Sequence, residues 1–251
     1  MLLTPLDQFQ ILPIFNLKFF FLDISVTNLL LISVLILILL NFLITFNIKI
    51  NNKAYFIPHN WQLITEIINE TSSSLLLDNS SKKSEKYYPF VSVIFLFILL
   101  SNLIGLVPYS FTVTSHLITT CTISFSIFIG LNIICIKLHK SEILSLFIPA
   151  NTSFGLALLL VPIEFVSYIF KPISLGVRLF ANLMAGHTLL KVIIGFSWSM
   201  LLLENFISLF HIIPLLVIVL LFGLELGVAL IQAYVFTILT CIYLNDSLNL
   251  H

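Results

Sequence analysis

At 251 residues the chain is long enough for one or two soluble domains, yet 59% of its residues are hydrophobic and only 9% are charged, against about 25% charged in globular proteins. A mean hydropathy of +1.15 leaves too little polar surface to face water on all sides, so the chain is expected to be an integral membrane protein. Eleven basic residues balance eleven acidic ones, so the basic excess needed to bind phosphate backbones is missing and nucleic acid is excluded as a partner.

The first 22 residues lack a basic leader region and carry Pro5 and Pro13. They resemble neither a secretory signal nor an Arg-rich transit peptide. Usage heavy in Phe, Ile, Leu and Asn fits an AT-rich, organelle-encoded gene. A spanning helix needs about 20 apolar residues. The first predicted span is 24–48. Residues 58–77 differ: Trp61, Ile64, Ile68 and Leu75 fall on one helical face, and Gln62, Glu66, Asn69, Glu70 and Ser73 fall largely on the other. With Asn60 as N-cap after Pro58, this predicts an amphipathic helix in the membrane interface. A polar linker, 78–86, follows. Further spans are predicted at 88–107 and 117–136, and two long apolar helices at 151–196 and 205–244. The fold class is therefore all-α, with about five membrane-embedded helices and one surface helix. Cys121, Cys135 and Cys241 are widely spaced within apolar runs and are expected to be fillers, not disulfides or metal ligands. No cofactor site is expected. Sequons at Asn69, Asn79 and Asn151 are expected to be chance in an Asn- and Ser-rich chain.

Lysines orient the spans. Lys49, Lys53, Lys82, Lys83 and Lys86 lie between the first two spans, and Lys137 and Lys140 follow the third. The loops 108–116 and 197–205 contain neither Lys nor Arg. The N-terminal side is thus expected outside and the C-terminal end inside, with Lys18 the one dissenting charge. This parity allows a single net crossing for 151–196. As one helix that segment is roughly 69 Å long at about 1.5 Å per residue, and the hydrocarbon is about 30 Å thick. It must bend, with Pro162 and Pro172 as kink points, or run steeply oblique. The segment 205–244 poses the same problem. Gly223 and Gly227 form a GxxxG pair that either permits close helix approach or simply faces lipid.

The long helices carry Glu164, Lys171, Arg178, Lys191, Glu204 and Glu225, with Asn182, His187 and Gln232. Ionisable groups inside a membrane persist when paired, hydrated or functional. An internal salt-bridge set is one reading, and snorkelling of Lys171 and Lys191 to an interface is another. Arg178 is the single arginine among eleven basic residues, so this site needs a guanidinium rather than any positive charge. On a helix, Ser174, Arg178, Ala181, Asn182 and Ala185 share one face of small or polar residues, and His187 falls about 180° away. Glu225 and Gln232 share a face of the last helix. Carboxylates and imidazoles in such surroundings exchange protons. No motif of hydrolytic, nucleotide-binding or haem chemistry is present.

The segment Ser174-Leu-Gly-Val-Arg178-Leu-Phe-Ala-Asn182-Leu-Met-Ala-Gly186-His187 resembles subunit a of the F-type rotary ATP synthases. So do Asn102-Leu-Ile-Gly-Leu-Val-Pro-Tyr-Ser-Phe-Thr-Val-Thr-Ser-His116, Val161-Pro-Ile-Glu164, and Glu225 through Gln232-Ala-Tyr-Val-Phe236. Pro5-Leu-Asp-Gln-Phe9 is similar to mitochondrial members from plants and protists, and the likeness covers essentially the whole chain. It implies a stator subunit in the mitochondrial inner membrane. Its two oblique helices would lie against a rotating ring of small subunits with buried carboxylates, beside peripheral-stalk and other membrane-sector subunits and lipid. It implies that Arg178 separates two aqueous half-channels, with Asn182 beside it at the ring. His187 and Glu225 would line the outer half-channel, Gln232 and Asn102 would order its water, and Glu164 would lie in the inner one or merely anchor at the interface. His116 is either a channel-mouth group or structural, and Tyr234 and Tyr243 are expected to pack. ATP chemistry would belong to other subunits. A respiratory-complex proton pump would instead predict internal repeats, which are absent, and a purely structural subunit leaves the lone arginine unexplained.

Overall fold

The computed structural model describes residues 7–16, 18–19, 22–23, 25–51, 60–107, 110–140, 154–202 and 212–249. Among them are six helices: α1 (Asn28–Asn51), α2 (Asn60–Asn79), α3 (Tyr88–Gly105), α4 (Leu117–His139), α5 (Phe154–Leu201) and α6 (Ile212–Leu248). All except α2 contain stretches long and apolar enough to cross a membrane. The chain is an all-α membrane protein. The strands are minimal: Pro13–Phe15 (β1) pairs antiparallel with Val26–Thr27 (β4), and Lys18–Phe19 (β2) pairs with Leu22–Asp23 (β3).

The helix α1 starts later than the span predicted from residue 24. Val26 and Thr27 are strand, and the cause is polar. Thr27 Oγ1 accepts the amide of Leu30 at 3.4 Å and Asn28 Oδ1 accepts that of Leu29 at 2.9 Å. These bonds satisfy amides that have no carbonyl partner in the first turn of a helix. Asn60 opens α2 rather than preceding it, and Pro58 lies outside the described residues, as do 151–153 and 205–211 of the two long predicted helices.

The chain divides into two compact units. The first comprises residues 1–41, 97–116 and 179–233. In it α5, from Leu179 on, runs antiparallel to α6 up to Ala233, as the pairs Asn182–Gln232 and His187–Glu225 show. Asn102 of α3 is fully buried and donates from Nδ2 to the carbonyl of Ala229 at 3.2 Å.

The second unit comprises residues 42–96, 117–178 and 234–251. Leu76, Val91 and Cys241 form its buried cluster, with Tyr88 packed against them. The α2 face turned inward differs from the predicted apolar stripe. Thr65, Ser72, Leu75 and Leu76 are buried, and Ile64 is exposed together with Leu63 and Ile67. The two hydroxyls bury at little cost because each bonds a carbonyl of its own helix, Thr65 to Gln62 at 2.9 Å and Ser72 to Asn69 at 3.0 Å. The predicted linker 78–86 leads into a 3₁₀ turn, Lys82–Tyr87. It is tied to the end of α6: Asn245 Oδ1 accepts the amide of Ser81 at 3.3 Å, and Asn249 Nδ2 donates to Ser81 Oγ at 3.1 Å.

Close helix approach occurs at glycines other than the predicted pair. Among the described residues, a Cβ on Gly223 or Gly227 would meet nothing within 4 Å, so the GxxxG pair brings no helix of this chain close. A Cβ on Gly176 would stand 2.8 Å from Ser124 Oγ, 3.1 Å from the carbonyl oxygen of Thr120 and 3.2 Å from Cys121 Cα. Two of these contacts are backbone, which cannot rotate away. Gly176→Ala is therefore expected to force α4 and α5 apart and to cost about 1–3 kcal/mol. A lowered thermal midpoint of the purified complex checks this, and an unchanged midpoint would contradict it.

Candidate functional site

The pair His187–Glu225 lies in the first unit. His187 Nδ1 lies 3.0 Å from Glu225 Oε1, and the two side chains are 11% and 5% exposed. The carboxylate oxygens and His187 Nε2 are all buried and make no aligned hydrogen bond among the described residues. Buried polar groups are ordinarily saturated, so these three atoms stand out. Gly186 makes the approach possible: a Cβ there would stand 3.0 Å from Glu225 Oε1 and 3.3 Å from its Cδ.

Five residues back along α5 and seven onward along α6, Asn182 Nδ2 donates to Gln232 Oε1 at 2.9 Å. Gln232 is buried and Asn182 is exposed, so this bond joins the buried side of α6 to an outer face of α5. Asn102 Oδ1 is buried and accepts no hydrogen bond among the described residues. Asn182, His187, Glu225, Gln232 and Asn102 thus all belong to one unit.

Arg178 and Glu164 belong to the second unit. Arg178 is exposed, as are Ser174, Ala181, Asn182 and Ala185 along the same helix. Among the described residues the ion pairs are His187–Glu225 and Lys171–Asp246, and neither uses Arg178. The internal salt-bridge reading therefore does not account for this arginine. Glu164 is half-buried, and its Oε2 meets no hydrogen-bond partner among the described residues.

Lys171 does not snorkel freely. Its Nζ lies 3.6 Å from Asp246 Oδ2, and 5.4 Å and 5.1 Å from the ring centres of Tyr168 and Tyr243. Tyr168 in turn donates to Asn132 Oδ1. Sequence reasoning missed Asp246 and gave Tyr243 only a packing role. The available signal was a lone carboxylate at the polar end of an apolar helix, 75 residues from the lysine it meets. Lys171→Met is expected to loosen the α5–α6 contact only slightly, because a half-exposed ion pair contributes little. A thermal midpoint lowered by more than that of Gly176→Ala would contradict this.

His116 is outside the spans. Its ring stacks on Phe111 at 5.1 Å, and burial lowers its pKa from the usual imidazole value, so it is neutral at neutral pH. Glu204 lies outside the described residues.

Fold and site together define an all-α, multi-pass membrane protein with ionisable side chains set within its spans. A model of the ATP synthase A chain family matches residues 29–245. A protein of Pylaiella littoralis named ATP synthase subunit a is 51% identical over 248 residues, covering 99% of each chain. The subunit a of Chondrus crispus is 47% identical, covering 99% of this chain and 97% of its own, and that of Marchantia polymorpha is 44% identical, covering 99% of each. The chain belongs to the ATP synthase A chain family.

Proposed function

We propose that this chain is the proton-conducting stator subunit of an ATP synthase membrane sector, placed in the mitochondrial inner membrane with its C-terminal end toward the matrix. The observation that carries the reading is the division of labour on α5. A permanent cation stands exposed on the part of α5 in the second unit, and an imidazole–carboxylate pair is enclosed between α5 and α6 in the first.

The exposed face takes a ring of small subunits, each with a membrane-buried carboxylate. Ala181 and Ala185 let the ring come close, and Arg178 holds the facing carboxylate ionised. A proton from the outer side is taken up by His187 and passed from Nδ1 to Glu225 Oε1, and then to a ring carboxylate. Asn102 and Gln232 order the water of this path. After nearly a full turn of the ring the proton leaves by an inner half-channel containing Glu164. Arg178 between the two paths keeps protons from crossing without rotation. The chain binds no nucleotide, and ATP chemistry belongs to partner subunits.

A photo-reactive side chain at Ala181 in the assembled complex is expected to cross-link to a small carboxylate-bearing subunit. One at Ile38, 62% exposed on α1, is expected to label lipid instead. Absence of any ring-subunit product at Ala181 would refute the proposed docking face.

A smaller effect is expected at Gly186. In Gly186→Ala the flexible Glu225 side chain yields a few tenths of an ångström, so assembly survives. The shift disturbs the His187 contact, and pumping should fall, by less than the roughly hundredfold that a displacement of about 1 Å can cost. ATP-driven acidification measures it, and pumping at the wild-type rate would contradict the role of this glycine.

A further inference from the structure

The Asp7–Gln8–Phe9 stretch plays no part in the mechanism above, yet it folds onto the proton pair. Phe9 is 9% exposed, while Ile11, Leu12, Ile14 and Phe15 just beyond it are 49–66% exposed. One aromatic ring of this segment is thus inserted and its apolar neighbours are not. The ring it meets is His187, with centroids 6.4 Å apart and planes tilted by 57°.

The turn is also fixed from behind. Gln10 donates its amide to the carbonyl of Asp7 and its Nε2 to Asp7 Oδ1, both at 3.3 Å. Asn28 clamps the segment to the start of α1. Its Nδ2 donates to the Gln10 carbonyl at 3.1 Å, its amide donates to the Leu12 carbonyl at 3.2 Å, and its Oδ1 accepts the Leu12 amide at 3.3 Å.

We infer that the Asp7–Phe9 turn is the cover of the His187–Glu225 pair, and that Phe9 is a positioning residue that seats the imidazole against the carboxylate. The inference rests on reading that pair as the outer proton site. His187 has two distinct nitrogens. Nδ1 faces Glu225 Oε1 at 3.0 Å. Nε2 is buried without a hydrogen-bond partner among the described residues, and a Cβ on Gly105 would stand 3.9 Å from it. Nε2 is therefore the atom at which a proton must arrive, and Phe9 lies against its ring. An apolar ring there excludes bulk water and limits the tilt of the imidazole. Entering protons are held to a narrow approach instead of equilibrating freely, and the buried pair keeps its geometry through the passage of each ring carboxylate.

The test is carbethoxylation of His187 by diethyl pyrocarbonate in the intact membrane-embedded complex, followed by peptide mass analysis. His139, which lies in the other unit, serves as the reference. In the wild type, His187 is expected to react more slowly than His139. Opening the cover in Phe9→Ala is expected to raise the His187 rate roughly tenfold, with Phe9→Val between and His139 unchanged. ATP-driven acidification should fall in the same order with the complex still assembled. Wild-type labelling of His187 as fast as His139 overturns the inference by itself, even if both variants fail to assemble. So does an unchanged His187 rate in either assembled variant. The pumping of Arg178→Ala separates this inference from the functional reading. If that variant pumps normally while Phe9→Ala exposes His187, the cover stands and the proton-channel reading falls.

Discussion

Replacing Arg178 with Ala is expected to abolish ATP-driven acidification of liposomes carrying the purified complex, with assembly intact. Assembly survives because Arg178 is exposed and neither ion pair among the described residues uses it. The proposed partner is a carboxylate of the ring. Removing one member of a desolvated charge pair costs about 2–5 kcal/mol, roughly 30-fold to several thousandfold in rate. On the proposed reading, loss of the cation lets the facing ring carboxylate take up a proton in the low-dielectric interface, and the barrier between the two half-channels would disappear. Arg178→Lys is expected to pump poorly as well, since an ammonium lacks the planar fork and loses its charge more readily when desolvated. Lys191→Ala is the control for general loss of positive charge on α5. Unimpaired pumping in assembled Arg178→Ala would mean that the arginine is structural.

The second large effect is expected at the buried pair. Glu225→Gln and His187→Ala should each reduce pumping on the order of a hundredfold, the usual contribution of a positioned acid–base group. Gln keeps the shape of Glu225 and cannot carry a proton. Ala at His187 removes the imidazole whose Nδ1 lies 3.0 Å from Oε1. The exchange His187→Glu with Glu225→His keeps one acid and one imidazole within reach of each other, so it should pump better than either single variant. The comparison is made by acidification at equal assembled complex. Wild-type pumping in both single variants would remove the pair from the proton path. If the exchange is worse than both singles, geometry and not the presence of the two groups is what matters.

Sequence periodicity and charge placement revealed much of this chain, for physical reasons. Lipid admits only backbone that bonds itself, so long apolar runs must be helices. The runs at 88–107 and 117–136 correspond closely to α3 and α4. Intolerance of charge in lipid makes Arg178, His187, Glu164 and Glu225 conspicuous in the sequence alone. Helical periodicity puts Arg178 and His187 on opposite sides of one helix; Arg178 is exposed and the His187 side chain is 11% exposed.

Tertiary structure decided what periodicity cannot carry, namely which residues far apart in the chain meet. Burial of Thr65 and Ser72 in place of Ile64 follows from hydroxyls satisfied within their own helix, a compensation invisible to hydrophobic patterning. The close approaches at Gly176 and Gly186, rather than at Gly223 and Gly227, depend on which surface each glycine faces, and spacing alone does not encode that. Lys171 met Asp246 between two tyrosines, and Phe9 came to rest on His187 across 178 residues of chain. Composition fixed the solvent, and periodicity fixed the helices and their faces. The partners came from packing, because contact between distant segments depends on the geometry of the folded chain.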